Sequence, residues 1–172
     1  IYTPTAAEIA NGTLTLILTT TGNGLCNAVA DQVLLTFTDA PTANAGADVT
    51  VCANNGAVAL GGSVVTATGG TWSGGSGTFT PNANTLNATY SPSAADIAAG
   101  QVTLTLTTTG NGDCTPAVDS KTIFYTPAPI VNAGVDGTVC ANAAAIALSG
   151  TVTGATGGVW SGGSGSFSPN SI

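Results

Sequence analysis

Histidine and arginine do not occur in this chain of 172 residues, and Lys121 is its single basic side chain. Without histidine there is no ordinary general base for a serine or cysteine nucleophile, and without arginine there is no clamp for a transferring phosphoryl group. One lysine against eight acidic residues, a formal charge of −7, leaves no basic patch. Nucleic-acid binding through counterion release is excluded on that ground, and anionic membranes are unsuitable partners for the same reason. No apolar run approaches the roughly 20 residues of a membrane-spanning helix, so no membrane insertion is expected. The glycine-rich stretches TTGNGDC and WSGGSG precede no helix bearing Lys and Ser/Thr, so neither is a phosphate loop. Asp31 and Asp119 occupy one and the same place in a repeat and read more simply as turn residues than as paired acid–base carboxylates. Neither catalytic residues nor enzymatic activity are expected.

Charge of either sign is scarce, at 5% of residues against about 25% in an average globular protein. The surface must therefore be built from Thr, Ser, Asn, Ala and Gly. Such a surface repels itself weakly and favours association with identical copies.

What the chain does contain is a tandem repeat. IYTPTAAEIANGTLTLILTTTGNGLC at the start returns from residue 89 as TYSPSAADIAAGQVTLTLTTTGNGDC, and TWSGGSGTF at 71–79 returns as VWSGGSGSF at 159–167. The displacement is 88 residues throughout, and residues 1–84 laid on 89–172 agree at roughly 57% of positions without a gap. Pro/Ala/Asn/Gly-rich junctions, DAPTANAG at 39–46 and PAPIVNAG at 127–134, frame one whole unit at 45–132. Residues 1–44 then hold the C-terminal half of a unit, and 133–172 the N-terminal half of the next. The length is two periods less four residues, so the expectation is a repeating window on a longer polymer.

Within the unit, short alternating runs between Gly and Asn turns predict strands at 48–52, 57–66, 70–73, 77–80, 87–91, 101–109 and 119–126. In QVTLTLTTT, Val102, Leu104 and Leu106 alternate with polar residues, so one face enters a core and the other meets solvent. Ser93-Ala-Ala-Asp96 and Thr5-Ala-Ala-Glu8 have the form of a capping box, closed by Gly100 and Gly12. Trp72 and Phe79 flank a glycine turn and, with their copies Trp160 and Phe167, are expected in cores beside Val102, Leu104 and Leu106. Seven strands around one Trp point to an all-β fold of tandem immunoglobulin-like sandwiches.

Asp39, Asp48 and Asp136, with Asn44 and Asn132, gather near the junctions and are candidate calcium ligands, hard oxygen donors that could clamp adjacent units. The simpler reading is that they form Asx turns, in which case no metal or other cofactor is needed.

The junctions ANAGADVTV and VNAGVDGTV resemble the opening of PKD-type immunoglobulin-like domains, and WSGGSGTF is similar to their Trp-bearing strand and turn. Ser76 stands where the turn aspartate of that pattern is expected. The combination of VCAN, TWSGGSGTF, YSPSAADIAAG and LTLTTTGNGDC resembles the repeats of giant surface proteins of gliding bacteria exported through the type IX system. That resemblance covers the whole chain and implies an extracellular, cell-surface location. It also implies a role in adhesion or in extracellular filaments such as the grappling hooks of predatory marine species.

Four cysteines fall as two repeat-related pairs, none in a CxxC arrangement. A zinc site without histidine would need all four thiolates, so disulfides are the better reading, and they place the protein outside the cytoplasm. Buried free thiols are the plainer alternative. In an immunoglobulin-like topology the first strand and the loop after the sixth can share one end, which predicts Cys52–Cys114, with Cys26 and Cys140 pairing outside this segment. A second scheme, Cys26–Cys52 with Cys114–Cys140, repeats equally well and would staple neighbouring units.

Two functions fit these features. One is a structural repeat of a long extracellular filament or stalk used for attachment or capture, with identical copies as partners. The other is an adhesin or ligand-binding module of a secreted multidomain protein, recognising glycan or protein.

Overall fold

The computed structural model describes residues 1–142 and 145–168. Residues 143–144 and 169–172, part of the expected third segment at 133–172, lie outside the described residues. The fold is all-β with two short helices. In chain order the elements are α1 (Ala6–Ala10), β1 (Thr13–Thr19), β2 (Ala30–Thr36), β3 (Thr42–Asn44), β4 (Val49–Cys52), β5 (Val58–Ala59) and β6 (Ser63–Val65). There follow β7 (Gly69–Ser73), β8 (Thr78–Thr80), β9 (Thr89–Ser91), α2 (Ala94–Ala99), β10 (Gln101–Thr109), β11 (Val118–Thr126), β12 (Ile130–Asn132) and β13 (Thr151–Thr153). No described helix is long and apolar enough to cross a membrane.

The middle of the chain builds two sheets around one core. One has the order β4-β11-β10-β7 and the other β5-β9-β8, with β3 and β6 paired alongside. Alternation along β10 sends Val102, Leu104 and Leu106 inward, to meet Trp72 from β7, Ile123 and Tyr125 from β11, and Val58 and Tyr90 from the smaller sheet. The opposite face is polar: Thr103 and Thr105 exchange hydroxyl hydrogen bonds at 3.2 Å with Thr122 and Ser120 across the ladder. Burial of these apolar side chains, at about 25 cal/mol per Å², is the main source of stability.

The run at 57–66 reads as one strand but folds as two. Gly61 takes φ +67°, and the turn there moves the chain from the β9 edge, where β5 pairs, to β3, where β6 pairs. The junction at 39–46 is part of the structure too, since Thr42–Asn44 form a strand immediately after Pro41.

In the four-stranded sheet the neighbours β4 and β11 run parallel, with Cys52 opposite Thr126. That pairing corrects the cysteine expectation. Cys52 sits at the Thr126 end of β11, whereas Cys114 sits in the connection that enters β11 at Val118, about 27 Å away along the strand. The Cys52–Cys114 disulfide is not formed, and all four cysteines are free thiols.

Candidate interaction surface

The chain holds the same helix–hairpin element twice, once clothed and once bare. In the clothed copy, Ser93 caps α2. Its hydroxyl accepts from the Asp96 N–H at 3.1 Å, and its own N–H donates to Asp96 Oδ2 at 2.8 Å. Gly100 closes the helix at φ 76°, a left-handed position that costs glycine nothing. Asp96 also accepts from the Tyr90 hydroxyl at 2.8 Å and from the Ser76 N–H and hydroxyl at 3.1 and 3.0 Å. The Tyr90 oxygen in turn accepts from the Gly77 N–H at 2.9 Å. This network pins the WSGGSG turn to the helix.

Burial alone would raise the Asp96 carboxyl, but donors on Ser93, Tyr90 and Ser76 outweigh it and hold the group well below the usual carboxylate range. Burial, aided by the bond to Asp96, pushes the Tyr90 phenol up to about 12. The capping box was legible in the sequence. The part played by Ser76 and Tyr90 was not, because both lie outside the local window that defines a cap.

The bare copy keeps the local half of this design. Thr5 caps α1, Glu8 accepts from the Thr5 N–H at 2.7 Å, and the Tyr2 hydroxyl donates to Glu8. Hydrogen bonds from Thr5 and Tyr2 hold the Glu8 carboxyl below its ordinary value. β1 and β2 then pair in the register of β10 and β11, displaced by 88 residues: Thr13↔Thr36 against Gln101↔Phe124. Among the described residues no third strand flanks this hairpin and no second sheet covers it. Leu18 is 81% exposed where its counterpart Leu106 is 0% exposed, and Val33, the ladder partner of Leu16 on the same face, is also exposed. The result is a β-ribbon presenting a core-type face to its surroundings.

The other candidate residues are spread along the chain. Trp72, Val102, Leu104 and Leu106 are buried, and Phe79 packs on the core with its ring 5.0 Å from that of Tyr90. Trp160 and Phe167 are partly exposed. Asp48 Oδ1 accepts from the Thr122 N–H at 2.7 Å and so ties β4 to β11, while Asp39 and Asp136 are exposed. Asn44 and Asn132 each accept from the N–H two residues on, Gly46 and Gly134, both at 2.8 Å, which is an Asx turn. Among the described residues no three Cys, Asp or Glu side chains converge to hold a metal ion.

Asp119 accepts from the Ala45 N–H at 2.8 Å, which with a second bond from the Ser120 N–H holds its carboxyl below the usual value. Cys114 Sγ lies 3.6 Å from Thr38 Oγ1 and 3.8 Å from the Asp39 carbonyl, bridging one repeat to the junction before it. Nothing in the local sequence signalled that contact, which spans 76 positions. No family model matches the chain, and no curated protein matches it.

Proposed function

We propose that this chain is a structural repeat of an extracellular filament or stalk, built of immunoglobulin-like sandwiches and assembled from identical copies. The observation that carries this reading is the ribbon β1–β2, whose Leu14, Leu16, Leu18 and Leu35 stand at the positions of the buried Val102, Leu104, Leu106 and Ile123 of the middle unit. An apolar face of that kind marks a surface intended for burial against protein. Three further features support it. Sheets of four and three strands about a buried Trp, with the β3–β6 pair alongside, support the immunoglobulin-like reading. A surface with 5% charged residues repels its own kind weakly. The resemblance to repeats of giant surface proteins from gliding bacteria supplies the location: outside the cell, in attachment or capture.

Electron microscopy of the purified chain tests this reading. Ordered multi-chain filaments are expected, and a field of separate flexible beads at all concentrations would overturn it.

A further inference from the structure

We infer that the junction at 39–46 is a strap closed over the middle unit and pinned by Asp119, and that acid releases the strap and frees the joint between units while the unit itself stays folded. The device lies within a single chain, so it operates whether or not copies assemble.

The stretch APTANAG at 40–46 carries only small side chains and proline, so apolar burial holds it closed weakly. Its ladder is short as well: β3 meets β6 at Thr42↔Val65, Ala43↔Val64 and Asn44↔Ser63 and nowhere else. Segments of that kind open locally, ahead of the core strands, unless polar contacts hold them. Here the contacts come from the β10–β11 hairpin. At the start of the strap, Cys114 Sγ stands 3.6 Å from Thr38 Oγ1 and 3.8 Å from the Asp39 carbonyl. At its end, Asp119 Oδ2 accepts from the Ala45 N–H at 2.8 Å. Pro41 and Ala45 are both buried, Ala45 completely. A buried N–H needs an acceptor, and Asp119 supplies it.

Asp119 and Lys121 stand two residues apart on one face of β11, and both reach the end of the strap. Gly46, left-handed at φ +78°, lies over the lysine, and a Cβ there would stand 3.7 Å from Nζ. Lys121 is 5% exposed, and its ammonium donates to the Leu60 carbonyl at 3.4 Å. Val33 occupies the same position in the first hairpin, so the strand does not require a cation there. The single lysine of the chain is thus shut beneath the strap for as long as Asp119 holds the strap down.

Acid acts on that pin. The charged groups around Asp119 are Lys121 on its own strand, Asp48 on β4, Asp113 in the β10–β11 turn and Asp39 on the strap. Its ladder partner on β10 is Leu106, and β3 and β6 carry no charge. The carboxylate form is favoured while the strap is closed, because the Ala45 and Ser120 N–H groups donate to it. Closure is therefore fully supported above the free carboxyl value of about 4 and weakens as pH falls below it.

Amide exchange in the 172-residue chain, followed by NMR at about pH 6 and about pH 3, tests the strap. On that change the Ala45 amide is expected to lose about three-fold or more protection beyond what the β10 amides lose. Asp119→Asn keeps the side-chain shape and an acceptor, so the unit should fold, and the extra loss at Ala45 should vanish. At about pH 8 an N-hydroxysuccinimide acetate should acetylate Lys121 about five-fold or more faster in this variant than in the parent, read by peptide mass spectrometry. Asp31→Asn makes the same charge change at the same repeat position of the first hairpin and should leave both readings at parental values. Parallel loss of protection at Ala45 and β10, parental labelling in Asp119→Asn, or equal effects of the two variants would each sink the strap.

Discussion

Asp96 shows how one carboxylate serves two scales of structure. To its own helix it is the third residue of a capping box, and to the domain it is the acceptor that holds the WSGGSG turn and Tyr90 in place. Its folded-state carboxyl is depressed, so its contribution is complete above the unfolded value near 4 and is lost as pH falls through the folded one. Tyr90 has the opposite sign. Its phenol is raised, so that contribution is present below about 10 and is lost as pH rises toward about 12. Urea midpoints are therefore expected to hold level between roughly pH 5 and 9 and to decline on both sides. Asp96→Asn should cost about 1–3 kcal/mol at neutral pH and flatten much of the acid decline, with Asp119 accounting for some of what remains.

At the scale of elements, similar local sequence meets two environments. Leu106 on β10 is enclosed by Trp72, Gly62 and Gly70, and Leu106→Ala should cost about 2–5 kcal/mol in the middle unit. Leu18 on β1 has the same strand position and the same register, yet Leu18→Ala in dilute chain should change stability by about 0.5 kcal/mol or less. Chemical denaturation of both variants at low concentration measures the contrast. The elements were largely legible in the sequence because their signals are local. Alternation in QVTLTLTTT marked β10, and SAAD with Gly100 marked α2 and its end. The single strand expected over 57–66 breaks at Gly61, where the Gly-Gly pair was the available signal of a turn. Strand β3 was hidden because it is three residues long and follows a proline.

Across the whole molecule, the candidate oxygen ligands near the junctions do not gather: Asp39 and Asp136 are exposed, and the others bond backbone. Asp48 bonds the Thr122 N–H, and Asn44 and Asn132 close turns. Thermal melting with and without a calcium chelator is accordingly expected to give the same midpoint, and a drop of several degrees would restore calcium as a clamp between units.

What the sequence by itself determined is the 88-residue period, the all-β class, the inward face of β10 and the caps of both helices. Each of these depends on residues a few positions apart, whose chemistry is set before any distant contact forms. Only the tertiary structure decided that β4 lies parallel to β11, and hence that Cys52 and Cys114 stand at opposite ends of one sheet. Strand direction is not encoded in alternation, because a period of two reads the same along either direction of the chain. Tertiary structure likewise decided which of two similar hairpins is buried. The inward faces of β1 and β10 are equally apolar, and only the presence or absence of a facing sheet separates an exposed Leu18 from a buried Leu106.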